Sequence, residues 1–135
     1  MKLNKVEYAK LKPRQQEVFN FPKVAGQLAD YGFNCIKLAD DWQGADFLAY
    51  HVDGNNTLKV QLKSRLTISQ KYLRKSLFIT FPIDDVWYLL EHDRLVTLVK
   101  KHTPWLASDS WCKHKGYSSG NPNAELVSAL SEWRL

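Results

Sequence analysis

A chain of 135 residues with 44% hydrophobic, 13% aromatic and 24% charged residues can bury a core, and this composition excludes a disordered or low-complexity protein. No apolar run approaches the length that spans a bilayer, and residues 1–12 lack the apolar core of a signal peptide. We therefore expect a cytoplasmic protein with no membrane partner, and its net charge of +5 favours an anionic one.

The first predicted element is a helix over residues 13–31, which Gly32 ends. Pro22 lies inside this helix, so either the helix kinks there or a second helix begins with Asn20 as its cap. Apolar residues at helical spacing predict the buried stripe of this helix: Val18, Phe21, Val24 or Ala25, and Leu28.

Five segments rich in strand-forming residues come next along the chain. They are 33–38, 46–52, 57–65, 77–81 and 86–90. A loop that contains Trp42 is predicted over 40–45, between the first two strands. A connector with room for one helical turn is predicted over 67–75, between the third strand and the fourth.

The last third of the chain is predicted to be helical at both of its ends. Asp93 is a candidate cap for a short helix over 94–101, and an amphipathic helix is predicted over 123–133. Residues 102–122 contain no periodic pattern and are predicted to be irregular.

This order of elements is typical of a single α/β (α+β) domain in which a central mixed sheet of about five strands is flanked by helices. We predict one domain over 1–135, with its core at about 13–90. Residues from about 93 to 135 are predicted to form a C-terminal helical elaboration of that core.

Turn-forming residues at 53–56 predict that the second and third strands form a hairpin. A four-residue loop there places Leu48 opposite Gln61, and Asp46 opposite Lys63. Since side chains alternate between the faces of a strand, Asp46, Gln61 and Lys63 would then share one face. A shift of two residues in the pairing would preserve that shared face.

These three residues are suited to the hydrolysis of a phosphodiester bond. Mg²⁺ prefers oxygen ligands, which the Asp46 carboxylate, the Gln61 amide and the backbone carbonyl of Leu62 could supply. A bound cation polarises phosphoryl oxygens and activates water. Lys63 could orient that water or neutralise the charge that develops on phosphorus.

The GAD tripeptide that ends at Asp46, followed after fourteen residues by Gln61, Leu62 and Lys63, resembles the signature of the PD-(D/E)xK nuclease superfamily. That superfamily includes restriction endonucleases, Holliday-junction resolvases and repair nucleases. The resemblance covers roughly residues 13–90. It implies a restriction-endonuclease-like core and a DNA endonuclease that depends on Mg²⁺ or Mn²⁺.

Two residues depart from the signature. Ala45 stands where the family often has proline, and Gln61 stands where it usually has Asp or Glu. A neutral amide binds Mg²⁺ less strongly than a carboxylate does. The alternatives are therefore a catalytically inactive DNA-binding module of the same fold, or a domain for protein interaction.

Family members often take a further metal ligand from the first helix, and Glu17 is the only acid between residues 8 and 29. Its helical spacing from the apolar stripe places it beside the core, where it could bind the metal. The alternative is an exposed glutamate in the first turn that interacts with the helix dipole.

Basic residues follow the motif without any acid among them. Residues 59–75 contain six Lys and Arg residues, whereas 30–53 contain five acids and one base. We predict that four of these basic residues contact DNA phosphates: Arg65, Lys71, Arg74 and Lys75. A homodimer is a further possibility, because a domain this small often needs two copies to cut both strands.

Overall fold

The computed structural model describes residues 1–135 and contains four α-helices and seven strands. The helices are α1 (Pro13–Ala29), α2 (His92–His102), α3 (Asp109–His114) and α4 (Ala124–Ala129). The strands are β1 (Phe33–Trp42), β2 (Ala45–His51), β3 (Thr57–Leu62), β4 (Leu66–Ser69), β5 (Phe78–Ile83), β6 (Val86–Glu91) and β7 (Gly116–Ser119). Short 3-10 turns lie at Tyr8–Lys10, Gln70–Tyr72, Trp105–Ala107 and Ser131–Trp133.

One mixed sheet contains β1, β2, β3, β5 and β6 in that order. β3 and β5 are parallel, and the other neighbouring strands are antiparallel. β4 leaves this sheet and pairs with β7 as a separate antiparallel ribbon. The predicted α/β fold class, with a central mixed sheet of five strands flanked by helices, is therefore confirmed.

Both faces of the central sheet are covered by apolar contacts. α1 packs Val24 and Leu28 against Phe47, Ala49 and Val60 of β2 and β3. The other face of β5 and β6 packs against α2, α4 and the ribbon. The buried residues of that second cluster are Leu66, Ile68, Ile79, Phe81, Ile83, Tyr88, Leu90, Leu95, Val99, Leu126 and Leu130. Full burial of each such aliphatic side chain contributes roughly 1.5–3 kcal/mol.

α1 is one continuous helix, so the alternative in which a second helix begins at Asn20 is wrong. Asn20 is instead a buried residue whose amide donates a hydrogen bond to the Tyr8 hydroxyl at 2.8 Å. The predicted apolar stripe holds for Val24 and Leu28 but not for Val18, which is 61% exposed. Asn20 lies on the buried face of α1, and it can be buried there because its hydrogen bond to Tyr8 satisfies the side-chain amide.

The loop predicted over 40–45 is much shorter in the structure. β1 continues to Trp42, and only Gln43 and Gly44 connect it to β2, both with positive φ. A Cβ on Gly44 would lie 3.1 Å from the Leu77 side chain, so glycine suits this close approach. The turn therefore brings the start of β2, and with it Asp46, close to the sheet core.

The C-terminal third contains more regular structure than predicted. Residues 102–122, predicted to be irregular, include α3 and β7, so this part of the chain is not only helical. Asp93 does not cap α2, because its carboxylate accepts the backbone N–H of Arg74 at 3.0 Å instead. The terminal helix is limited to α4 and is capped by Asn123, whose side chain accepts the N–H of Leu126 at 2.8 Å. None of the helices combines the length and apolarity needed to cross a bilayer.

Candidate functional site

The β2–β3 hairpin closes one residue earlier than predicted. His51 donates its backbone N–H to the carbonyl of Asn56 at 2.8 Å, which makes this pair the last of the ladder. Within the turn, the Asp53 carboxylate accepts the N–H of Asn55 at 2.8 Å, and Gly54 has a φ of 76°. This side-chain turn and the permissive glycine fix the position of the loop.

The position of the turn shifts the pairing of the motif residues by two. Leu48 lies opposite Lys59 and not opposite Gln61, so that predicted pair is wrong. One further step along the register places Asp46 opposite Gln61, whereas Asp46 was predicted to face Lys63. Because the shift is an even number, Asp46, Gln61 and Lys63 still lie on one side, and all three border the same cavity.

This cavity, which we call the carboxylate cavity, has a volume of about 220 Å³ and lies between α1 and the adjoining ends of β2 and β3. It brings together all five residues predicted for catalysis or metal binding, which are Glu17, Asp46, Gln61, Leu62 and Lys63. Glu17 is exposed at the cavity mouth. The alternative of an exposed first-turn glutamate is right about its exposure but wrong about its place, because the first turn of α1 contains no acid.

Asp46 is the partly buried carboxylate of this cavity. Its Oδ2 accepts the backbone N–H of Leu62 at 2.8 Å. Burial raises the pKa of the Asp46 carboxyl, and the nearby charge of Glu17 raises it further, against the opposing effects of the Leu62 hydrogen bond and Lys63. The negative charge at Asp46 is therefore incompletely stabilised by the protein and would be stabilised by a cation.

Gln61 is 7% exposed and its side-chain amide makes no hydrogen bond to another protein group. No polar side-chain atom is both completely buried and without a partner, so the amide of Gln61 retains some accessible surface beside the cavity. The accessible part of this amide can bind water or a ligand in the cavity. Its oxygen is therefore available to a cation that binds at Asp46.

The donors around the carboxylate cavity fit a hard divalent cation. Asp46 and Glu17 supply carboxylates, and Gln61 supplies an amide oxygen, which are ligand types that Mg²⁺ accepts. No three His, Cys, Asp or Glu side chains converge on one point of the structure. The protein thus offers at most two carboxylates there, and Mg²⁺ ordinarily retains several waters.

Lys63 lies just beyond the end of β3, and its backbone N–H still bonds to the carbonyl of Thr80 in β5 at 3.0 Å. The pairing of β3 with β5 stops near Pro82, because proline has no N–H to donate to the neighbouring strand. The chain after β3 leaves the sheet at this point. The Lys63 ammonium lies 5.7 Å from the centre of the Tyr72 ring and forms no salt bridge. The Lys63 ammonium therefore lies beside Tyr72 and forms no direct ion pair with a carboxylate.

The four basic residues predicted to contact DNA are all exposed, but the structure does not bring them together. Lys71 borders a second cavity that it shares with Lys63. Arg65 donates to the hydroxyl of Ser118 at 2.8 Å. Arg74 borders a separate cavity with two acids, Glu91 and Asp93. Lys75 borders neither the carboxylate cavity nor the cavity of Lys71, and its carbonyl accepts the ammonium of Lys59 at 2.9 Å.

Sequence reasoning missed two residues that support this region, His92 and His114. His92 is fully buried, and its Nε2 accepts the N–H of Ser69 at 3.1 Å while its Nδ1 lies 3.3 Å from the Asp93 carboxylate. Burial lowers the pKa of His92. His114 borders the second cavity with Lys71. His114 reaches this cavity because β7, which follows it in the chain, pairs with β4. No local sequence pattern predicts this position.

Comparison with known proteins supports the fold. No family model and no curated protein matches the sequence. Among solved structures, the bacterial homing endonuclease I-Ssp6803I matches with a TM-score of 0.51 and 11% identity, over 91% of this chain and 86% of its own. The Holliday junction resolvase Hjc of Archaeoglobus fulgidus matches with a TM-score of 0.43 and 14% identity, over 57% of this chain and 74% of its own. The likeness to I-Ssp6803I shows that the chain has a restriction-endonuclease-like fold.

Proposed function

We propose that the protein is a DNA endonuclease that depends on Mg²⁺ or Mn²⁺ and hydrolyses phosphodiester bonds at the carboxylate cavity. The observation that carries this proposal is the convergence of Asp46, Gln61 and Lys63 on one cavity. These residues are a partly buried carboxylate, a buried amide without a protein partner, and an ammonium without an ion pair. The homing endonuclease that shares this fold supports the choice of DNA as substrate.

Each residue has a role that its chemistry supports. Asp46 and Gln61 would hold the cation, with Glu17 from α1 as a further carboxylate and the Leu62 carbonyl as a further oxygen. When bound, the cation would supply Lewis-acid stabilisation of the phosphate. Lys63 would orient the attacking water and stabilise the negative charge that grows on the phosphoryl oxygens as the new P–O bond forms and the ester P–O bond breaks.

The proposal is tested with Asp46→Asn, which removes the charge but retains an oxygen that can accept the Leu62 N–H. Cleavage of supercoiled plasmid in Mg²⁺ or Mn²⁺ should fall by a factor of about 10²–10³ or more, because the anionic ligand is lost. Asp40→Asn is the matched control, since Asp40 is exposed on β1 and borders neither cavity. Equal loss in both variants would argue against a role for this cavity.

A second candidate function is a catalytically inactive DNA-binding module of the same fold. Gln61 favours it, because the position that usually carries an acid in this superfamily is neutral here and no three-acid cluster exists elsewhere. If the wild-type protein binds DNA but cuts no duplex, nicked or branched form in Mg²⁺ or Mn²⁺, this second function replaces the first.

A further inference from the structure

A second cavity, which we call the basic groove, adjoins the carboxylate cavity and shares Lys63 with it. The groove has a volume of about 340 Å³. One wall consists of β4 and the 3-10 turn at Gln70–Tyr72, and the other consists of α3 and β7. We propose that this groove binds the phosphate backbone of the DNA strand next to the phosphate that is cut. The inference rests on the proposed function for the location of the cut phosphate.

The charge of the groove favours a polyanion. Its lining contains Lys63, Lys71 and His114 but no Asp or Glu. Neither lysine forms a salt bridge, and their ammonium groups lie 5.7 and 5.1 Å from the centre of the same ring, that of Tyr72. The Tyr72 ring thus attracts both cations by cation–π interaction. Two cations without salt bridges in a cleft attract successive charges along a phosphate backbone.

The two walls of the groove are held together by backbone pairing. β4 and β7 are aligned from Leu66 opposite Ser119 to Ser69 opposite Gly116. A hydrogen bond also joins the elements that form the two walls, because the side-chain amide of Gln70 donates to the carbonyl of Trp111 in α3 at 2.8 Å. A groove that is already formed does not lose ordering entropy when its ligand binds. This rigidity supports a binding surface rather than a chance gap between loops.

The hydroxyl groups of the groove indicate recognition of the backbone and not of base sequence. Thr67 donates its hydroxyl to the carbonyl of Arg65, and Ser110 donates to the carbonyl of Gly116. Ser118 already accepts a hydrogen bond from Arg65. With the Thr67 and Ser110 hydroxyl protons engaged, the charged donors of the groove are Lys63 and Lys71, which contact phosphates whatever the sequence. We therefore expect the groove to contribute affinity that depends on salt and not on sequence.

The test places an acid inside the groove or just outside it. Lys71→Glu and His114→Glu each introduce an anion beside the proposed phosphate path, at exposed positions that tolerate charge. Lys113→Glu is the matched control, because Lys113 lies on α3 beside His114, pairs with Asp109 at 3.6 Å and does not border the groove. Thermal unfolding of each variant establishes that the fold is intact.

Binding is measured by fluorescence anisotropy with a labelled DNA duplex in EDTA, over a range of salt concentrations. Both groove variants should weaken binding by about tenfold or more. They should also flatten the plot of log K against log salt by about 0.9 for each phosphate that the protein no longer neutralises. The control should change the affinity by much less. Equal effects of Lys113→Glu and Lys71→Glu, which change the net charge by the same amount, would mean that net charge alone matters, which would overturn the proposal.

The outcomes separate this inference from the proposed function. If the protein binds DNA through the groove but cuts nothing, the groove stands and the endonuclease proposal fails. If the wild-type protein cuts DNA while both groove variants bind and cut normally, the endonuclease stands and the groove fails. Tighter binding of an RNA duplex of the same sequence through the same residues would overturn the assignment of the groove to DNA.

Discussion

The two cavities on either side of Lys63 differ in both charge and burial. The carboxylate cavity contains Glu17 and Asp46, which attract a cation but repel a phosphate. The basic groove contains Lys71 and His114 and no acid, so it attracts the phosphate. Hydrolysis of a polyanion by a metal-assisted mechanism needs both effects at adjacent places. The difference shows how one protein can bring a cation and a polyanion to neighbouring positions, with Lys63 between them.

Burial also differs between the two cavities, and it sets the expected size of each mutational effect. Asp46 and Gln61 are partly or almost fully buried, whereas Lys71 and His114 are exposed. Electrostatic interactions strengthen where water is excluded and weaken at the surface, where salt screens them. Changes in the carboxylate cavity should therefore affect chemistry by orders of magnitude, and changes in the groove should affect binding more modestly.

Among the changes that compare the two cavities, the largest effect is expected for Lys63, because it borders both of them. Lys63→Ala should lower the rate of DNA cleavage by a factor of about 10²–10³, since it removes the only cation beside the Asp46 carboxylate. It should also weaken DNA binding in EDTA, because it removes a cation from the groove. Single-turnover cleavage and anisotropy measure the two effects separately. Loss of cleavage with unchanged binding would show that Lys63 does not belong to the groove.

Gln61→Glu should have a smaller effect on cleavage than Lys63→Ala, and it should favour cleavage rather than impair it. A second buried carboxylate should strengthen Mg²⁺ binding, so that half-maximal cleavage occurs at a Mg²⁺ concentration lower by about tenfold. Affinity for DNA in EDTA should fall slightly because of the added negative charge. A titration of cleavage against Mg²⁺ measures the shift. An unchanged Mg²⁺ requirement would place the metal away from Gln61.

The charge of Asp46 should also reduce the stability of the free protein. Its carboxyl pKa is raised above the ordinary value of 3.8, so the folded state binds its proton more tightly than the unfolded state does. The protonated Asp46 carboxyl stabilises the folded state at low pH, and this contribution to the free energy of unfolding is lost as pH rises above 3.8 through the folded pKa. In EDTA at neutral pH, Asp46→Asn should therefore unfold at a higher temperature than the wild type, and the difference should vanish at acid pH. Asp40→Asn serves as the control, and a lower melting temperature for Asp46→Asn would contradict the assigned environment.

The smallest effect concerns His92, which supports the groove wall through Ser69. Burial lowers its pKa below the ordinary value of 6.5, so the unfolded state binds the proton more tightly. Stability is therefore complete above pH 6.5 and falls as pH decreases towards the folded pKa, by at most about 1.4 kcal/mol per pH unit for one proton. Denaturant unfolding between about pH 7.5 and pH 5 measures this slope. His92→Gln retains an acceptor for the Ser69 N–H and should show a weaker dependence on pH.

Local patterns in the sequence predicted the sheet, the hairpin and the motif residues, because each depends on neighbours within a few positions. The hairpin register was wrong by two, since the Asp53 side chain and Gly54 fix a turn one residue earlier. Asp46, Gln61 and Lys63 nevertheless lie on one side of the hairpin, because alternation makes an even shift harmless to the shared face. Distant contacts could not be predicted: Arg74 is held at Asp93, and nothing local marks His114 as a neighbour of Lys71.

The pairing of β4 with β7 has a consequence for how the protein folds. These strands are separated by some fifty residues of chain, whereas α1 and the β2–β3 hairpin, which form most of the carboxylate cavity, are neighbours in sequence. Contacts between distant segments close large loops and form late. During synthesis from the N-terminus, the carboxylate cavity can assemble while the far wall of the groove is still absent. A nascent chain would then complete the carboxylate cavity before the basic groove.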